Sequence, residues 1–194
     1  MNGTLAGTGP LGYLAHNSTG DIGRGYDDFA VSQWILAASH PLPDSWLGRA
    51  VLSTEVAIRQ VYGLPNPITM RYGSAGFGMA PSTATPACAG PPATCTLDGF
   101  VTPSTWGWRL KLQSSYHPSL TGWEVRPSLL LAYDVKGYSE DGQFSQGRHT
   151  ALFGLALIPQ ADYQIQLRYL RTGGGDYNLL SDRSTLTFAA SMRF

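Results

Sequence analysis

The chain of 194 residues has few charged side chains and no long apolar run. Charged residues make up 13% of the sequence, about half of the roughly one quarter that is usual in a soluble domain. Basic and acidic residues number 13 each, so no excess charge favours binding to nucleic acid. No run approaches the ~18 apolar residues of a membrane-spanning helix, a test that does not apply to β-barrels.

The N-terminal segment, MNGTLAGTGPLGYLAHNSTGDIG, has neither the basic start nor the apolar core of a signal peptide. We therefore expect that export information was removed, or that residue 1 is not the natural start. Residues 1–27 are predicted to be a loop-like segment, with a weak alternative strand within residues 3–15.

Cysteine is also scarce, with Cys88 and Cys95 the two in the chain, both within the segment ACAGPPATC. Two thiols without a nearby histidine or carboxylate cannot complete four metal ligands, so a metal site is not predicted. In an oxidising compartment the two cysteines would close a short disulfide loop. We predict this disulfide, which the chain-entropy relation values at roughly 2–3 kcal/mol, with free thiols as the alternative.

The sequence is rich in alternating apolar and polar positions. In the C-terminal stretch DRSTLTFAASMRF, one side of an extended strand would carry Leu186, Phe188, Ala190, Met192 and Phe194. The intervening positions are charged, hydroxylated or small. Because side chains alternate between the faces of a strand, this pattern predicts a β-strand with one apolar face.

The same period-two pattern predicts seven strands and an all-β, antiparallel fold. The predicted strands are 28–39, 50–61, 106–116, 123–136, 149–158, 161–171 and 182–194. Residues 149–158 are apolar on both faces, and the faces of 28–39 cannot be assigned. Pro127 would interrupt a central strand, so we expect it at a bulge or at an unpaired position.

The predicted connections alternate in length. The short ones are 40–48, 117–122 and 159–160, and the long ones are 62–104, 137–147 and 172–182. Bacterial outer-membrane barrels have short periplasmic turns and long outer loops. If the last strand runs inward, every short connection is periplasmic and every long one is outside, including the 62–104 loop with its two cysteines. The alternation therefore favours a transmembrane β-barrel.

Aromatic residues recur near both ends of the predicted strands. Trp106 and Tyr116 share a face and lie ten positions apart, as do Trp123 and Tyr133. At a tilt of about 45° this spacing covers about 23 Å along the membrane normal, close to the ~25 Å between barrel girdles. The predicted outer girdle is Trp106, Trp108, Tyr133 and Tyr169, and the inner girdle is Tyr116, Trp123, Tyr163 and Phe194. The alternative is a β-sandwich core, which would not concentrate aromatics at strand ends.

The opposite faces of the strands carry the charges, which would line the lumen of a barrel. The predicted lumen-lining residues are Glu55, Arg59, Arg109, Lys111, Glu124, Arg126, Asp134, Lys136, Arg168, Arg183 and Arg193. Charges inside a barrel must pair or meet water. One prediction from these residues is a salt-bridged lining that stabilises the barrel wall. The other is a polar channel whose basic excess favours anionic or amphipathic solutes, and the two are compatible.

Seven strands are an odd number, whereas single-chain bacterial barrels have an even number of about eight or more. An open edge is not tolerated in lipid, because each unpaired backbone group there costs several kcal/mol. With the last strand running inward, the first strand would begin outside the cell. We therefore expect residues 1–194 to be the C-terminal part of a larger barrel.

Residues that could carry catalysis are scattered. His16, His40, His117 and His149 share no motif, and two of them precede prolines in short turns. A hydrolase site needs a base beside a nucleophile or an orienting acid, for which His149 with Asp134 is the candidate pair. We expect the histidines to be turn and rim residues, and we predict no enzyme, no cofactor and no metal.

Four segments and the last residue together form a sequence pattern that supports a resemblance. They are STWGWRLKLQSSY, RPSLLLAYDVKGYS, GQFSQGR, GGGDYNLLSDRS and Phe194, preceded by the hairpin-like stretch AVLSTEVAIRQVYGLPNPITMRYG. Over residues 27–194 the chain resembles a family of large Gram-negative outer-membrane proteins that carries a domain-of-unknown-function name. Two departures are the insertion-like loop around Cys88 and Cys95, and Asp134, which stands where the family is expected to have His-Asp.

The resemblance implies an outer-membrane location, contact with lipid and assembly by the barrel-assembly machinery through the C-terminal strand. It implies no established catalytic residue, and family members are suspected of moving hydrophobic or aromatic compounds. The expected function is a channel or transporter for small hydrophobic or anionic solutes. The alternatives are a structural or surface-binding barrel that acts through its outer loops and, more remotely, a barrel-embedded hydrolase.

Overall fold

The computed structural model describes residues 2–8, 26–44, 48–67, 71–74, 99–119, 122–160 and 162–192. These ranges contain nine β-strands, joined by turns and bends, and no helix. Among them there is accordingly no helix long and apolar enough to cross a membrane.

All nine strands belong to one antiparallel sheet with the order β4-β1-β2-β3-β5-β6-β7-β8-β9. The strands are β1 (Asn2–Thr8), β2 (Tyr26–Pro41), β3 (Arg49–Val61), β4 (Arg71–Tyr72), β5 (Ser104–Ser115), β6 (Glu124–Lys136), β7 (His149–Gln160), β8 (Tyr163–Gly173) and β9 (Ser184–Met192). The seven longer strands, β2, β3 and β5 to β9, match the seven predicted ones. The predicted all-β, antiparallel fold is therefore confirmed, and within the described residues the sheet is not closed.

The N-terminal residues differ from the prediction. The loop-like prediction for residues 1–27 does not hold for Asn2–Thr8, where β1 pairs with the first part of β2 and overlaps the weak alternative strand predicted within residues 3–15. Gly3 and Gly7 dilute the side-chain pattern of β1, and alternation therefore indicates it only weakly. The two-residue β4, inside the predicted 62–104 loop, pairs with the end of β1.

The longer strands are joined alternately at two ends of the sheet. At what we call the short-turn end, β2 ends and β3 begins, β5 ends and β6 begins, and β7 ends and β8 begins. At the opposite, long-loop end, β3 ends and β5 begins, β6 ends and β7 begins, and β8 ends and β9 begins. At the long-loop end β6 stops before Gly137, which has a φ of 85° and whose Cβ, if present, would lie 2.4 Å from the Ser104 carbonyl oxygen. A side chain cannot be accommodated there, so glycine is required.

The register sorts side chains into two faces. One row across the sheet consists of directly opposite residues, Leu52, Leu112, Leu129, Phe153, Tyr169 and Leu186. Directly opposite residues share a face of a sheet, and we call this one the apolar face. The neighbouring row, on what we call the polar face, consists of Lys111, Leu130, Leu152, Leu170 and Thr185.

Pro127 lies at an interior position of β6, opposite Leu155 of β7. On the β5 side the ladder runs to Gln113 opposite Ser128 and resumes with a bridge between Tyr116 and Val125. The register is the same before and after the proline, so there is no bulge. The interruption follows from the missing N–H, and the expectation of an unpaired position is the one that holds.

Buried side chains concentrate at the long-loop end. Val61 and Tyr72 form a small cluster that includes Phe29, whose ring centroid lies 5.0 Å from that of Tyr72. Phe100 and Phe144, in the long connections, are 2% and 3% exposed. Between its two ends the sheet is a single layer, since each strand contacts its neighbours in the sheet and no described segment covers either face.

Candidate functional site

The apolar face of the sheet is exposed along its length. Trp34 and Leu36 on β2 are 74% and 76% exposed, and Leu186 and Phe188 on β9 are 68% and 69% exposed. Phe153, on β7 in the middle of the row, is 53% exposed. Soluble monomers rarely leave large contiguous apolar patches uncovered. This face therefore requires an apolar neighbour that the described residues do not supply.

Aromatic residues lie on this face near the long-loop end. Trp106 and Trp108 are at the start of β5, and Trp108 lies opposite Tyr133 with the ring centroids 6.3 Å apart. Tyr169 lies opposite Phe153 and Leu186 in the apolar row. Sequence reasoning missed Trp34, which lies opposite Ile58 on the same face, because the alternation of residues 28–39 was too poor to assign.

The other predicted girdle residues lie at the short-turn end. Tyr116 pairs with Val125 just beyond β5, and Trp123 immediately precedes β6. Tyr163 begins β8, opposite Met192. Phe194 lies outside the described residues.

The polar face carries most of the charges predicted to line a lumen. Its charged members are Glu55, Arg59, Arg109, Lys111, Glu124, Arg126, Asp134 and Arg168. The Arg109 guanidinium lies 2.8 Å from the Glu55 carboxylate. The Arg126 guanidinium binds both carboxylate oxygens of Glu124, at 2.7 and 2.9 Å. Some of the charged side chains on this face are therefore paired with one another within the sheet.

A second ion-pair system ties the 137–148 connection to the polar face. Asp134 is 7% exposed, and its carboxylate accepts a hydrogen bond of 2.6 Å from the Nε of Arg148. Arg148 also donates to the carbonyl oxygens of Gly142 and Gln143, at 3.0 and 2.6 Å. This guanidinium thus joins the end of β6 to the tip of the connection that follows it.

The tip of the same connection reaches across β5 to β3. Arg59 on β3 forms an ion pair with Glu140, and its guanidinium lies 3.9 Å from the Asp141 carboxylate. Because Arg59 and Asp134 both lie on the polar face, the 137–148 connection leans over that face at the long-loop end. Sequence reasoning missed Arg148, since the alternation marked only the strands and gave no sign of how the connection folds.

A shallow concavity of about 360 Å³ lies on the polar face between β5 and β8. Its floor consists of small residues, Ser128, Gly154 and Ala156, and its rim includes Lys111, Arg126 and Arg168. A Cβ at Gly154 would lie 2.4 Å from the Ser128 hydroxyl, so the floor exists because residue 154 has no side chain.

The remaining predicted residues are placed differently. Register shifts by one residue between Trp106 and Gly107, so that Trp106 lies opposite Lys136 while Gly107 lies opposite Asp134. This bulge in β6 puts Lys136 in line with a residue of the apolar face, whereas simple alternation predicts the polar face. Arg183 is exposed just before β9. Arg193 and the two cysteines, Cys88 and Cys95, lie outside the described residues.

The candidate catalytic pair is separated by the sheet. His149 lies opposite Tyr133 on the apolar face, whereas Asp134 lies on the polar face and binds Arg148. The two side chains therefore cannot act as a base and its orienting acid. Among the described residues no group of three histidine, cysteine, aspartate or glutamate side chains could hold a metal ion.

The exposed apolar face, the charged opposite face and the single layer of antiparallel strands define an amphipathic β-sheet. Residues 2–194 match the family described as "Protein of unknown function (DUF1302)", and the chain belongs to that family. The expected membership of a family with a domain-of-unknown-function name is thereby confirmed. No curated protein and no solved structure matches the chain.

Proposed function

We propose that the chain forms part of the wall of a transmembrane β-barrel in the outer membrane of a Gram-negative bacterium. The observation that carries this proposal is the exposed apolar face, with side chains such as Trp34, Phe153 and Phe188 more than half exposed. Lipid supplies the apolar neighbour that this face requires. A single-layer sheet suits lipid because adjacent strands satisfy each other's backbone groups.

Strand length supports the same proposal. The seven longer strands have between 9 and 16 residues, from β9 to β2. A tilted strand needs about 9–11 residues to cross a bilayer, so each of them is long enough.

The edges of the described sheet, β4 and β9, face no further strand among the described residues. In lipid an unpaired strand edge would leave several kcal/mol uncompensated for each backbone group. The proposal therefore includes a larger barrel whose other strands pair with these edges. In this proposal the barrel-assembly machinery pairs with the edge strand β9.

The proposed activity is passage of small hydrophobic or anionic solutes through the barrel. Its support is the polar face, where Lys111, Arg168 and Arg126, which is paired with Glu124, border an open concavity. Lys111 and Arg168 form no ion pair among the described residues, so their charges would meet the water of the lumen. Unpaired lumen cations favour anions.

The second candidate function is binding of a partner by the long connections. Its specific support is a packed cluster at the long-loop end, where the Tyr138 and Tyr177 rings meet edge to face at 5.6 Å. The cluster borders a cleft of about 220 Å³. Replacing the 137–148 connection should abolish binding and leave permeability unchanged if this alternative is right.

Membrane insertion can be tested with two adjacent residues of β7. Phe153→Cys and Leu152→Cys, each with Cys88→Ser and Cys95→Ser, are labelled with an environment-sensitive fluorophore after folding into vesicles. Lipids brominated on their acyl chains should quench the label at 153, on the apolar face, and leave the label at 152 nearly unaffected. Equal quenching at both positions would contradict the proposed orientation.

Passage of solutes needs a separate test. The full protein in planar bilayers should give discrete conductance steps with a preference for anions. Absence of conductance, together with no uptake defect when the gene is deleted, would rule out the channel and leave the surface-binding alternative.

A further inference from the structure

We propose that the concavity on the polar face binds an amphipathic anion, with Arg168 holding the anionic group and a row of leucines holding the hydrocarbon body. The inference rests on the proposed function, because it assigns a substrate class to the inner surface of the barrel wall. Four features of the concavity lead to it: its shape, its charge, its apolar border and the position of Arg168.

The shape of the concavity is fixed by backbone positions. Gly154 on β7 lies opposite Ser128 on β6 and opposite Arg168 on β8. With no side chain at Gly154, the Arg168 side chain stands beside an open floor instead of against a neighbour. The volume of about 360 Å³ is within the range of roughly 300–1,000 Å³ found for small-molecule sites.

The charge of the concavity is positive. Three cations contribute to its rim, and Arg126 is neutralised by its two-point contact with Glu124. Lys111 and Arg168 form no ion pair among the described residues, and no described carboxylate lines the concavity. Two uncompensated positive charges therefore face this space, and an anionic group is their complement.

An apolar border runs along the long-loop side of the concavity. Leu130 and Leu152 line the concavity, and Leu170 continues their row, so that the three lie directly opposite one another on β6, β7 and β8. Lys111 precedes this row on β5. Three adjoining leucines are unfavourable on a face that meets only water and ions, whereas contact with a hydrocarbon chain would remove them from water.

Arg168 is better placed than Lys111 to hold the anionic group. Its cross-strand neighbours are Gly154 and Thr187, and the glutamines 164 and 166 on its own strand also line the concavity. A guanidinium binds a carboxylate at two points, and the amide and hydroxyl groups around it can donate further hydrogen bonds. Lys111 lies three strands away, about 14 Å across the sheet, and attracts the same charge from the other side.

The experiment uses the full protein in nanodiscs and equilibrium dialysis against radiolabelled decanoate, with empty nanodiscs subtracted. Decanol, which has the body without the charge, and acetate, which has the charge without the body, are the matched probes. Decanoate should bind at least about tenfold more tightly than either probe, because decanol loses the charged contact and acetate loses the apolar burial.

Three variants complete the test. Arg168→Gln should weaken decanoate binding about tenfold, and Arg168→Lys should restore part of it. Gly154→Leu keeps every charge but fills the floor, so it should abolish binding. Arg183→Gln removes a cation that does not line the concavity and should change nothing.

The outcomes separate this inference from the proposed function. Protein that inserts into the bilayer but binds decanol as well as decanoate, or binds equally after Arg168→Gln, overturns the site and leaves the barrel intact. Decanoate binding in protein that gives no conductance, together with no uptake defect when the gene is deleted, upholds the site and overturns the channel. Failure to insert in the β7 labelling experiment overturns both.

Discussion

Two adjacent alanines on β9 offer the sharpest test of the two faces. Ala190 lies opposite Ile165 on the apolar face, and Ala189 lies opposite Gln166 on the polar face. Replacing each with arginine adds the same side chain to the same strand, one residue apart. The prediction is that Ala190→Arg is destabilising and that Ala189→Arg is nearly neutral.

The magnitude follows from the depth that Ala190 would have in the bilayer if the proposed barrel is right. Met192, two residues further on, lies opposite Tyr163, which is predicted to belong to the inner girdle. Two residues of a strand tilted by about 45° cover about 5 Å, which would place Ala190 about 8 Å from the centre of an apolar band ~25 Å high. An arginine costs about 2–4 kcal/mol at the centre and about 0–1 at the interface, so we expect about 2 kcal/mol for Ala190→Arg.

The measurement is equilibrium unfolding by urea in phosphatidylcholine vesicles, followed by tryptophan fluorescence. A loss of about 2 kcal/mol lowers the ratio of folded to unfolded protein by about 30-fold. Ala189→Arg should stay within about 0.5 kcal/mol of the parent, since its guanidinium reaches water. If Ala189→Arg proved as costly as Ala190→Arg, the assignment of faces would be wrong.

Three further predictions concern the connections and turns. Arg148→Met leaves the buried Asp134 carboxylate without its cation, so the free energy of unfolding in the same vesicles should fall by about 3 kcal/mol. Protease should also cut the 137–148 connection sooner, and unchanged cleavage would mean that this ion pair does not anchor the connection. Gly137→Ala should lower the stability against urea by more than Gly122→Ala does. Gly122 has open surroundings, so its replacement costs only the about 1–2 kcal/mol of a left-handed backbone. The reverse order would contradict the close approach of the backbone at residue 137. In intact cells Cys88 and Cys95 should resist alkylation until a reductant is added, whereas immediate labelling would show free thiols.

Alternation predicted the strands because a two-residue period survives wherever one face meets apolar and the other polar surroundings. It succeeded for β8 and β9, whose residues change character at nearly every step. It left the faces of β2 open, because Ile35 and Ala37 on one face are as apolar as Leu36 and Ala38 on the other. Only the pairing of β2 with β3 resolves them.

Three features could not be predicted from alternation, because they depend on contacts between residues that are distant in the sequence. The bulge that moves Lys136 out of phase arises from one extra residue between two ladder positions, which no local pattern reports. Arg148 is found only when β6 and β7 are paired and the connection between them folds back. Likewise the floor at Gly154 needs its neighbour across the strand, Ser128, to be known.

The bulge in β6 has a consequence for how the proposed barrel would sit in a membrane. Lys136 is aligned with Trp106, and Arg171 on β8 lies opposite Ala151 and Ser184, all on the apolar face. In the proposed orientation these two long cationic side chains belong to the end of the sheet that lies near the outer headgroups, with Lys136 in line with the indole of Trp106. There they meet phosphate groups of the outer leaflet, which would resist vertical sliding of the wall in either direction.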